Sequence, residues 1–182
     1  YPFEQIIKKE NITEEEKIEN IDIGGVSLLR AASKNYKHVV SVYSPSDYEW
    51  ILADLKESGD ISEEKRQKLA LKSFSHTACY DSVIVKNLGG ITVDYPEELS
   101  IGLKKIQDLR YGENPHQKAA VYSTPGTPAS GIVNSKVLQG KALSFNNYLD
   151  CESAWRVVSS FSKTACAIIK HTNPCGVALS SS

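Results

Sequence analysis

The spacing of apolar positions predicts helices in the first half of the chain. A spacing of three to four residues indicates a helix over residues 26–35, and a capping box at residues 46–49 opens another that ends near Gly59. Thr13 and Glu16 form a further capping box at the start of a short helix. A longer helix begins at Ser62. Its predicted apolar face consists of Leu69, Leu71, Phe74, Ala78 and Val83.

Short runs of β-branched and aromatic residues predict strands between the helices. These runs cover residues 39–43, 119–122, 132–138 and 164–170. A last helix is predicted over residues 150–161, and its buried side chains are Ala154, Trp155, Val157 and Val158. Because strands alternate with helices, we expect an α/β fold in both halves of the chain. The predicted organisation is one domain segment at residues 1–88, a linker at 89–107 and a second segment at 108–182.

Composition and charge narrow the classes of partner. Hydrophobic residues make up 41% of the chain and charged residues 24%, which is typical of a soluble globular protein. The formal net charge of −1 gives no electrostatic reason to expect nucleic acid or an anionic membrane as a partner. None of the four cysteines forms a Cys-x-x-Cys pair, so we expect reduced thiols and a cytoplasmic protein. A chain that begins with Tyr1 and contains no methionine is expected to be an internal piece of a longer polypeptide.

The first candidate site lies around a pair of glycines. Asp22 precedes Gly24 and Gly25, and a predicted helix then places Arg30 and Lys34 on one face. Glycines at a helix N-terminus let an anion approach backbone N–H groups. The alternative is an ordinary loop followed by a solvated basic helix face.

The second and third candidates are polar segments in the second half. Residues 110–117 read RYGENPHQ, in which Arg110 could hold a phosphate and His116 could donate or accept a hydrogen bond. The alternative is a surface turn. Residues 139–150 contain Asn146, Asn147 and Asp150 ahead of a helix, and capping of that helix accounts for one of the three.

The fourth candidate is a Lys-His pair at the end of an apolar strand. The run before Lys170 and His171 is predicted to be a strand, and a turn of Asn, Pro and Gly follows at residues 173–176. Adjacent strand residues point to opposite faces, so the two side chains share a site only where the strand ends or bends. The alternative is a strand end with two solvated polar residues. A zinc deaminase site is excluded because neither the glutamate nor the second cysteine of that motif is present.

Five segments together resemble one family, the bifunctional AICAR transformylase/IMP cyclohydrolase enzymes of purine biosynthesis. The segments occur in the family's order and cover nearly the whole chain. They are residues 1–3, 21–35, 110–117, 139–147 and 170–176. The resemblance implies formyl transfer from 10-formyltetrahydrofolate to AICAR, giving FAICAR, and then cyclodehydration of FAICAR to IMP. It also implies a homodimer and no required metal.

The resemblance further implies folds and residue roles. Residues 1–88 would end a methylglyoxal-synthase-like cyclohydrolase domain, and residues 108–182 would begin a cytidine-deaminase-like transformylase domain. The cyclohydrolase positions are Tyr1, Asp22 and Lys34. The transformylase catalytic pair is Lys170 and His171, and the positions that bind the AICAR nucleotide are Arg110, Tyr111, His116 and Asn147.

Two alternatives to an enzyme follow from the same residues. One is a nucleotide-binding or phosphate-binding module without chemistry, which would use the glycine pair and Arg110. The other is a degenerate scaffold, against which the intact Lys170–His171 and Asp22/Lys34 pairs argue. Since the family has earlier residues in one site and most folate contacts beyond the region matched here, we expect these 182 residues alone to catalyse neither reaction.

Overall fold

The chain divides into two compact units. The computed structural model describes residues 2–88, 95–126 and 131–180. Unit 1 comprises Tyr1–Gly102 and unit 2 comprises Leu103–Ser182, so the division falls inside the linker predicted at residues 89–107. Helices and strands both occur in the chain, which confirms the coarse α/β class.

The regular elements described in unit 1 are all helical. The helices are α1 Phe3–Ile6, α2 Glu14–Glu19, α3 Gly24–Lys34, α4 Tyr48–Ser58 and α5 Glu63–Leu88. A 3₁₀ turn at Pro45–Asp47 precedes α4. The prediction of an α/β first half is therefore wrong for the described residues of this unit.

The start of α2 and the end of α4 lie where the sequence predicted them. The capping box of Thr13 and Glu16 is confirmed, with hydrogen bonds running both ways between side chain and backbone. The box predicted at residues 46–49 is wrong because Pro45 begins a 3₁₀ turn, and the Ser46 hydroxyl hydrogen-bonds Ser44 Oγ at 2.8 Å. Gly59 does end α4, in the left-handed conformation at φ +74° that glycine adopts without steric cost.

The buried face of α5 is more polar than predicted. Leu69 and Val83 are buried as expected, but Leu71 is 68% exposed and Ala78 is exposed. Phe74 is half-buried. The helix instead buries Ala70, Ser73, Thr77 and Tyr80 together with those two apolar residues. These positions recur every three to four residues, so the helical period was correct and the face was misassigned.

A chain of serine hydroxyls explains why polar residues lie in that buried face. Ser41 Oγ lies 3.1 Å from Ser33 Oγ of α3 and 2.8 Å from Ser73 Oγ of α5, and all three side chains are buried. The predicted strand at residues 39–43 is wrong, since this segment pairs with no described strand. It is held instead by these hydroxyls and by its valines.

Two apolar clusters form the core of unit 1. Phe3, Tyr80 and Val83 form the first, with the Phe3 and Tyr80 rings edge to face at 6.0 Å. The second consists of Ile51, Ile61 and Leu69, against which Val40, Val42 and Trp50 pack. The long helix α5 contributes to both clusters and so connects them.

Unit 2 contains two antiparallel strand pairs and one long helix. Strand β1 (Lys104–Asp108) pairs with β2 (Ala120–Ser123), and β3 (Ala165–Lys170) pairs with β4 (Asn173–Leu179). Helix α6 (Phe145–Ser159) packs on β3. The strands predicted at residues 119–122 and 164–170 are confirmed. Strand β1 begins inside the segment predicted to be a linker and ends one residue beyond it.

Three predictions in unit 2 are wrong. Residues 132–138 form no strand. A 3₁₀ turn occupies Gly131–Asn134, because Glu152 of α6 accepts the N–H of Ile132 at 3.1 Å. Helix α6 begins at Phe145 rather than near residue 150, since Ser144 caps it. Trp155, predicted to be buried, is 52% exposed, and its predicted neighbours are half-buried.

Within the described ranges, no helix combines the length and the apolar character that a membrane span requires.

Substitution Ser41→Ala tests the hydroxyl chain. It leaves the buried hydroxyls of Ser33 and Ser73 without their shared partner, so we expect the free energy of unfolding to fall by about 1–3 kcal/mol. Urea denaturation measures the loss. The control is Ser75→Ala at an exposed position of α5, where we expect little change. Equal losses of stability in the two variants would contradict the stabilising role of the three serine hydroxyls.

The Lys72–Asp47 pair gives a pH-dependent prediction. Lys72 Nζ donates to the Asp47 carboxylate at 2.6 Å and lowers the pKa of that carboxyl group below its ordinary 3.8. A carboxyl with a depressed folded-state pKa stabilises the fold above its ordinary pKa, and this stability is lost as pH falls through the folded-state value. Lys72→Met should therefore cost about 1 kcal/mol at neutral pH, since the lysine is partly exposed.

Unfolding measured across acid pH checks this dependence. The difference between the parent protein and Lys72→Met should shrink once the pH is below 3.8. Lys68→Met is the matched control because the Lys68–Glu64 pair is exposed on both sides, and we expect almost no cost from it. A Lys72→Met deficit that persists undiminished in acid would refute an electrostatic origin.

Candidate functional site

The predicted Lys-His pair lies at a tight hairpin turn. Lys170, the last residue of β3, pairs with Asn173, the first of β4, and leaves His171 and Thr172 as a two-residue loop. Their φ angles are +51° and +64°, the left-handed values required at both positions of a type I′ turn. Non-glycine residues held there cost about 1–3 kcal/mol each. The strand thus ends where predicted, but the residues after Thr172 belong to β4 rather than to the turn.

Hydrogen bonds fix the backbone of this turn and leave the side chains of Lys170 and His171 available. Asp150 of α6 accepts the N–H of Thr172 at 2.8 Å. Thr172 Oγ1 and Asn173 Nδ2 both donate to the His171 carbonyl oxygen, at 2.6 and 2.8 Å. Lys170 and His171 are exposed, and neither side chain hydrogen-bonds another described residue. Both are therefore accessible to a bound molecule.

The Arg110 loop is a closed turn. Gly112 N–H donates to the Gln117 carbonyl at 2.8 Å, and Asn114 N–H donates to Gln117 Oε1 at 2.8 Å. The Arg110 guanidinium lies over the Tyr111 ring, 4.8 Å from its centroid, and donates to the Tyr111 hydroxyl at 3.1 Å. This contact fixes the direction of the guanidinium and leaves its other N–H groups as donors.

The N-terminal turn of α6 attaches this loop. Arg110 N–H donates to the Leu143 carbonyl, and Phe145 N–H donates to the Tyr111 carbonyl, both at 3.1 Å. Asn146 Nδ2 donates to the Glu113 carbonyl at 3.0 Å. Asp150, which anchors the hairpin turn, follows about one helical turn later. With a rise of 1.5 Å per residue, the two attachment points are roughly 6–8 Å apart along the axis. The structure therefore brings the Arg110 loop and the Lys-His turn to one end of α6.

The predicted binding residue Asn147 has a structural role at this end. Ser144 caps α6, and Asn147 Oδ1 accepts from both the N–H and the hydroxyl of Ser144, at 3.0 and 2.9 Å. The prediction that Asn146, Asn147 or Asp150 caps the helix is therefore wrong, because the cap is Ser144 and Asn147 is the third helical residue of its capping box. Since its oxygen is engaged, Asn147 has its amide N–H groups left to offer a ligand. His116 is exposed in the loop.

In unit 1, the backbone holds Asp22 at the start of α3. Gly25 N–H donates to Asp22 Oδ1 at 2.7 Å, and this bond lowers the pKa of the carboxyl group. The N–H of Asp22 donates to the buried Tyr80 hydroxyl at 2.8 Å. A Cβ on Gly25 would lie 2.6 Å from Asp22 Oδ2. The anion at this helix N-terminus is therefore the carboxylate of Asp22 itself, which remains ionised at neutral pH.

The other predicted residues of that site are not gathered around Asp22. Lys34 is exposed in the last turn of α3, which has 11 residues, so about 15 Å separates it from the helix start. Arg30 lies over the Phe74 ring at 5.5 Å. Tyr1 is outside the described residues. The structure therefore leaves Asp22 and Lys34 at opposite ends of one helix.

Comparison with known proteins identifies the family. The model of the AICARFT/IMPCHase bienzyme family matches residues 32–182. The chain belongs to this family. The bifunctional purine biosynthesis protein PurH of Persephonella marina is 51% identical over 99% of the chain, and that of Thermoanaerobacter sp. (strain X514) is 49% identical over 98%. The chain spans about a third of the length of these relatives, 36% and 35% respectively.

Two residues that were not predicted from the sequence of this bienzyme segment form hydrogen bonds with predicted site residues. Tyr80 holds the backbone of Asp22 from 58 residues away, and no local pattern could have indicated it. The sequence signal that could have identified Ser144 is its spacing of three residues from Asn147. This spacing matches a capping box in which an asparagine replaces the usual glutamate or glutamine. Over the described ranges, no group of three or more His, Cys, Asp or Glu side chains could hold a metal ion.

Two neighbouring glycines of this bienzyme segment allow a matched test of the Asp22 geometry. Gly25→Ala should push the carboxylate away and break its hydrogen bond, so we expect the pKa of Asp22 to rise toward 3.8. The protein should also lose about 1 kcal/mol of stability, because a hydrogen bond to a charged group outweighs the helix propensity of alanine.

The control is Gly24→Ala, since nothing lies within 4 Å of a Cβ at that position. It should leave the Asp22 pKa depressed and stabilise the helix slightly. NMR titration of the carboxyl group and thermal unfolding measure both quantities. An unchanged Asp22 pKa in Gly25→Ala would show that this hydrogen bond does not control it.

Proposed function

We propose that this chain is part of an enzyme that completes IMP synthesis. The enzyme transfers a formyl group from 10-formyltetrahydrofolate to the 5-amino group of AICAR, and it then closes the product FAICAR to IMP with loss of water. Membership of the bienzyme family supports the pair of reactions. The geometric observation that carries the proposal is the attachment of the Arg110 loop and the Lys170–His171 turn to one end of α6.

Formyl transfer depends on the Lys-His pair. The AICAR amine is a poor nucleophile because its lone pair is delocalised into the imidazole ring. His171 takes the proton of that amine as it attacks the formyl carbon, and general base catalysis of this kind gives about 10²–10⁴-fold. The tetrahedral intermediate then collapses, the bond between the formyl carbon and N10 of the folate breaks, and N10 takes up the proton so that tetrahydrofolate leaves. The Lys170 ammonium stabilises the oxyanion that forms on the formyl group. The exposure of both side chains supports these roles, since neither is engaged by a described residue.

The Arg110 loop binds the nucleotide of AICAR in this proposal. The Arg110 guanidinium contacts the phosphate with the N–H groups not used by the Tyr111 hydroxyl. Tyr111 and His116 complete the loop's contacts, and Asn147 donates through its amide nitrogen. The hydrogen bonds between the loop and the start of α6 support a fixed position for this binding set.

Ring closure uses the residues of unit 1. Asp22, held ionised by the Gly25 N–H, accepts a proton, while Lys34 polarises the formyl carbonyl and Tyr1 takes part in proton transfer. Because about 15 Å along α3 separates Lys34 from the helix start that holds Asp22, the geometry of this unit supports the role of Asp22, and the role of Lys34 is inferred from the resemblance alone.

The broader assignments are inferred from the same resemblance. Residues 1–88 end a methylglyoxal-synthase-like domain, residues 89–107 are a linker, and residues 108–182 begin a cytidine-deaminase-like domain. The enzyme is a cytoplasmic homodimer that uses 10-formyltetrahydrofolate as cosubstrate and requires no metal. Its partners are small molecules, with neither nucleic acid nor membrane among them.

One observation argues against the alternative, a phosphate-binding module without chemistry. That alternative relied on the glycine pair to receive an anion at the start of α3. The carboxylate of Asp22 already accepts the Gly25 N–H there, so a phosphate would have to displace it.

Substitution His171→Ala in a protein of the relatives' full length separates enzyme from module. We expect the formyl-transfer rate to fall by about 10²–10⁴-fold, because the base is lost. AICAR binding, measured by calorimetry, should remain. Retained AICAR binding reports that unit 2 is folded, and the cyclohydrolase rate of the same preparation reports the same for unit 1.

His38→Ala is the matched control, since His38 is an exposed histidine outside both predicted sites. It should leave both rates unchanged. Full formyl-transfer activity in His171→Ala would reject the catalytic role and favour the binding module.

A further inference from the structure

We propose that Asp150 is a positioning residue that holds His171 in place for formyl transfer. The inference rests on the proposed function, because it concerns the same turn. Asp150 lies on α6, is half-buried, and accepts the Thr172 N–H at 2.8 Å. It touches neither the ring of His171 nor the amine of Lys170 in any hydrogen bond between described residues. Its action is therefore on the backbone that carries them.

The turn needs an external anchor because its conformation is unfavourable for its residues. Type I′ loops favour Asn-Gly and similar pairs, whereas this loop is His171-Thr172, with positive φ at both. Threonine is β-branched, and such residues rarely adopt this region. Antiparallel pairing of β3 and β4 closes the loop without selecting which way its central peptide points.

Besides the pairing of β3 and β4, three hydrogen bonds that involve side chains hold this turn among the described residues, and they connect it to different parts of the chain. The bonds from Thr172 Oγ1 and Asn173 Nδ2 to the His171 carbonyl stay within the hairpin and move with it. The bond to Asp150 spans 22 positions and ties the turn to another element. It fixes the peptide that joins His171 to Thr172, and so fixes the direction in which the histidine side chain leaves the backbone.

Helix α6 also holds the Arg110 loop, which binds the nucleotide on which His171 acts in the proposed reaction. The Arg110 loop is bound at Phe145 and Asn146, about one turn before Asp150. Asp150 therefore sets the distance between the base and the nucleotide held by that loop. A displacement of about 1 Å at a reacting group is enough to cost about 10²-fold in rate.

The test compares Asp150→Ala with Asp150→Asn in a protein of the relatives' full length. Asparagine keeps an oxygen that accepts the Thr172 N–H, whereas alanine has none. We expect Asp150→Ala to lower kcat for formyl transfer by about ten- to a hundredfold with KM for AICAR nearly unchanged. Asp150→Asn should stay within about threefold of the parent. The cyclohydrolase rate should be unaffected in both.

The neighbouring substitution Cys151→Ala is the control, since Cys151 is exposed on the same helix and should not matter. If Asp150→Ala keeps the parent kcat, or if Asp150→Asn loses as much as alanine, the inference is wrong. If His171→Ala itself retains formyl transfer, the proposed function fails instead. The two failures are thus distinguishable.

A second variant covers the case in which Asp150→Ala also loses cyclohydrolase activity. Thr172→Gly is then added, because glycine adopts positive φ without steric cost and keeps the N–H. Recovery of formyl transfer in the double variant supports the inference. Failure to recover it overturns the inference.

Discussion

The arrangement of unit 2 depends on how the first turn of α6 satisfies its backbone. A helix begins with N–H groups that have no partner within it, and here the Ser144–Asn147 box takes up part of this set. The residues on either side of Ser144, Leu143 and Phe145, are hydrogen-bonded to the backbone of Arg110 and Tyr111. Ser144 itself is buried. The start of the Arg110 loop is thereby held beside the start of the helix.

Local patterns in the sequence were sufficient where the stabilising partner is a near neighbour. The Thr13–Glu16 box and the end of α4 at Gly59 were predicted correctly because each involves residues within one helical turn. Leu71 and Ala78 were placed in the core incorrectly, and the buried face of the helix contains Ser73 and Thr77. What buries Ser73 is its hydroxyl contact with Ser41, 32 positions away, and sequence spacing carries no information about such a partner.

In the candidate site, too, features set by neighbouring residues were predicted, and features set by distant residues were not. The sequence predicted that a strand ends at Lys170, since an apolar run stops there. It did not predict that His171 and Thr172 form the turn, because neither is a usual type I′ residue and the Asp150 carboxylate that holds the turn is distant in sequence. Nor did it indicate that Tyr80 supports Asp22. The groups proposed to react were chosen by residue type, whereas the groups that hold them were visible only in the fold.

Both candidate sites use a carboxylate that accepts a backbone N–H, and they use it in opposite directions. At Asp22 the backbone of Gly25 fixes the acid, and the acid is the group proposed to react. At Asp150 the acid fixes the backbone of Thr172, and the adjacent histidine is the group proposed to react. Charge is therefore essential at the first position, because only an ionised Asp22 accepts a proton. At the second position the requirement is an oxygen at the right place, and the charge serves only to strengthen the bond.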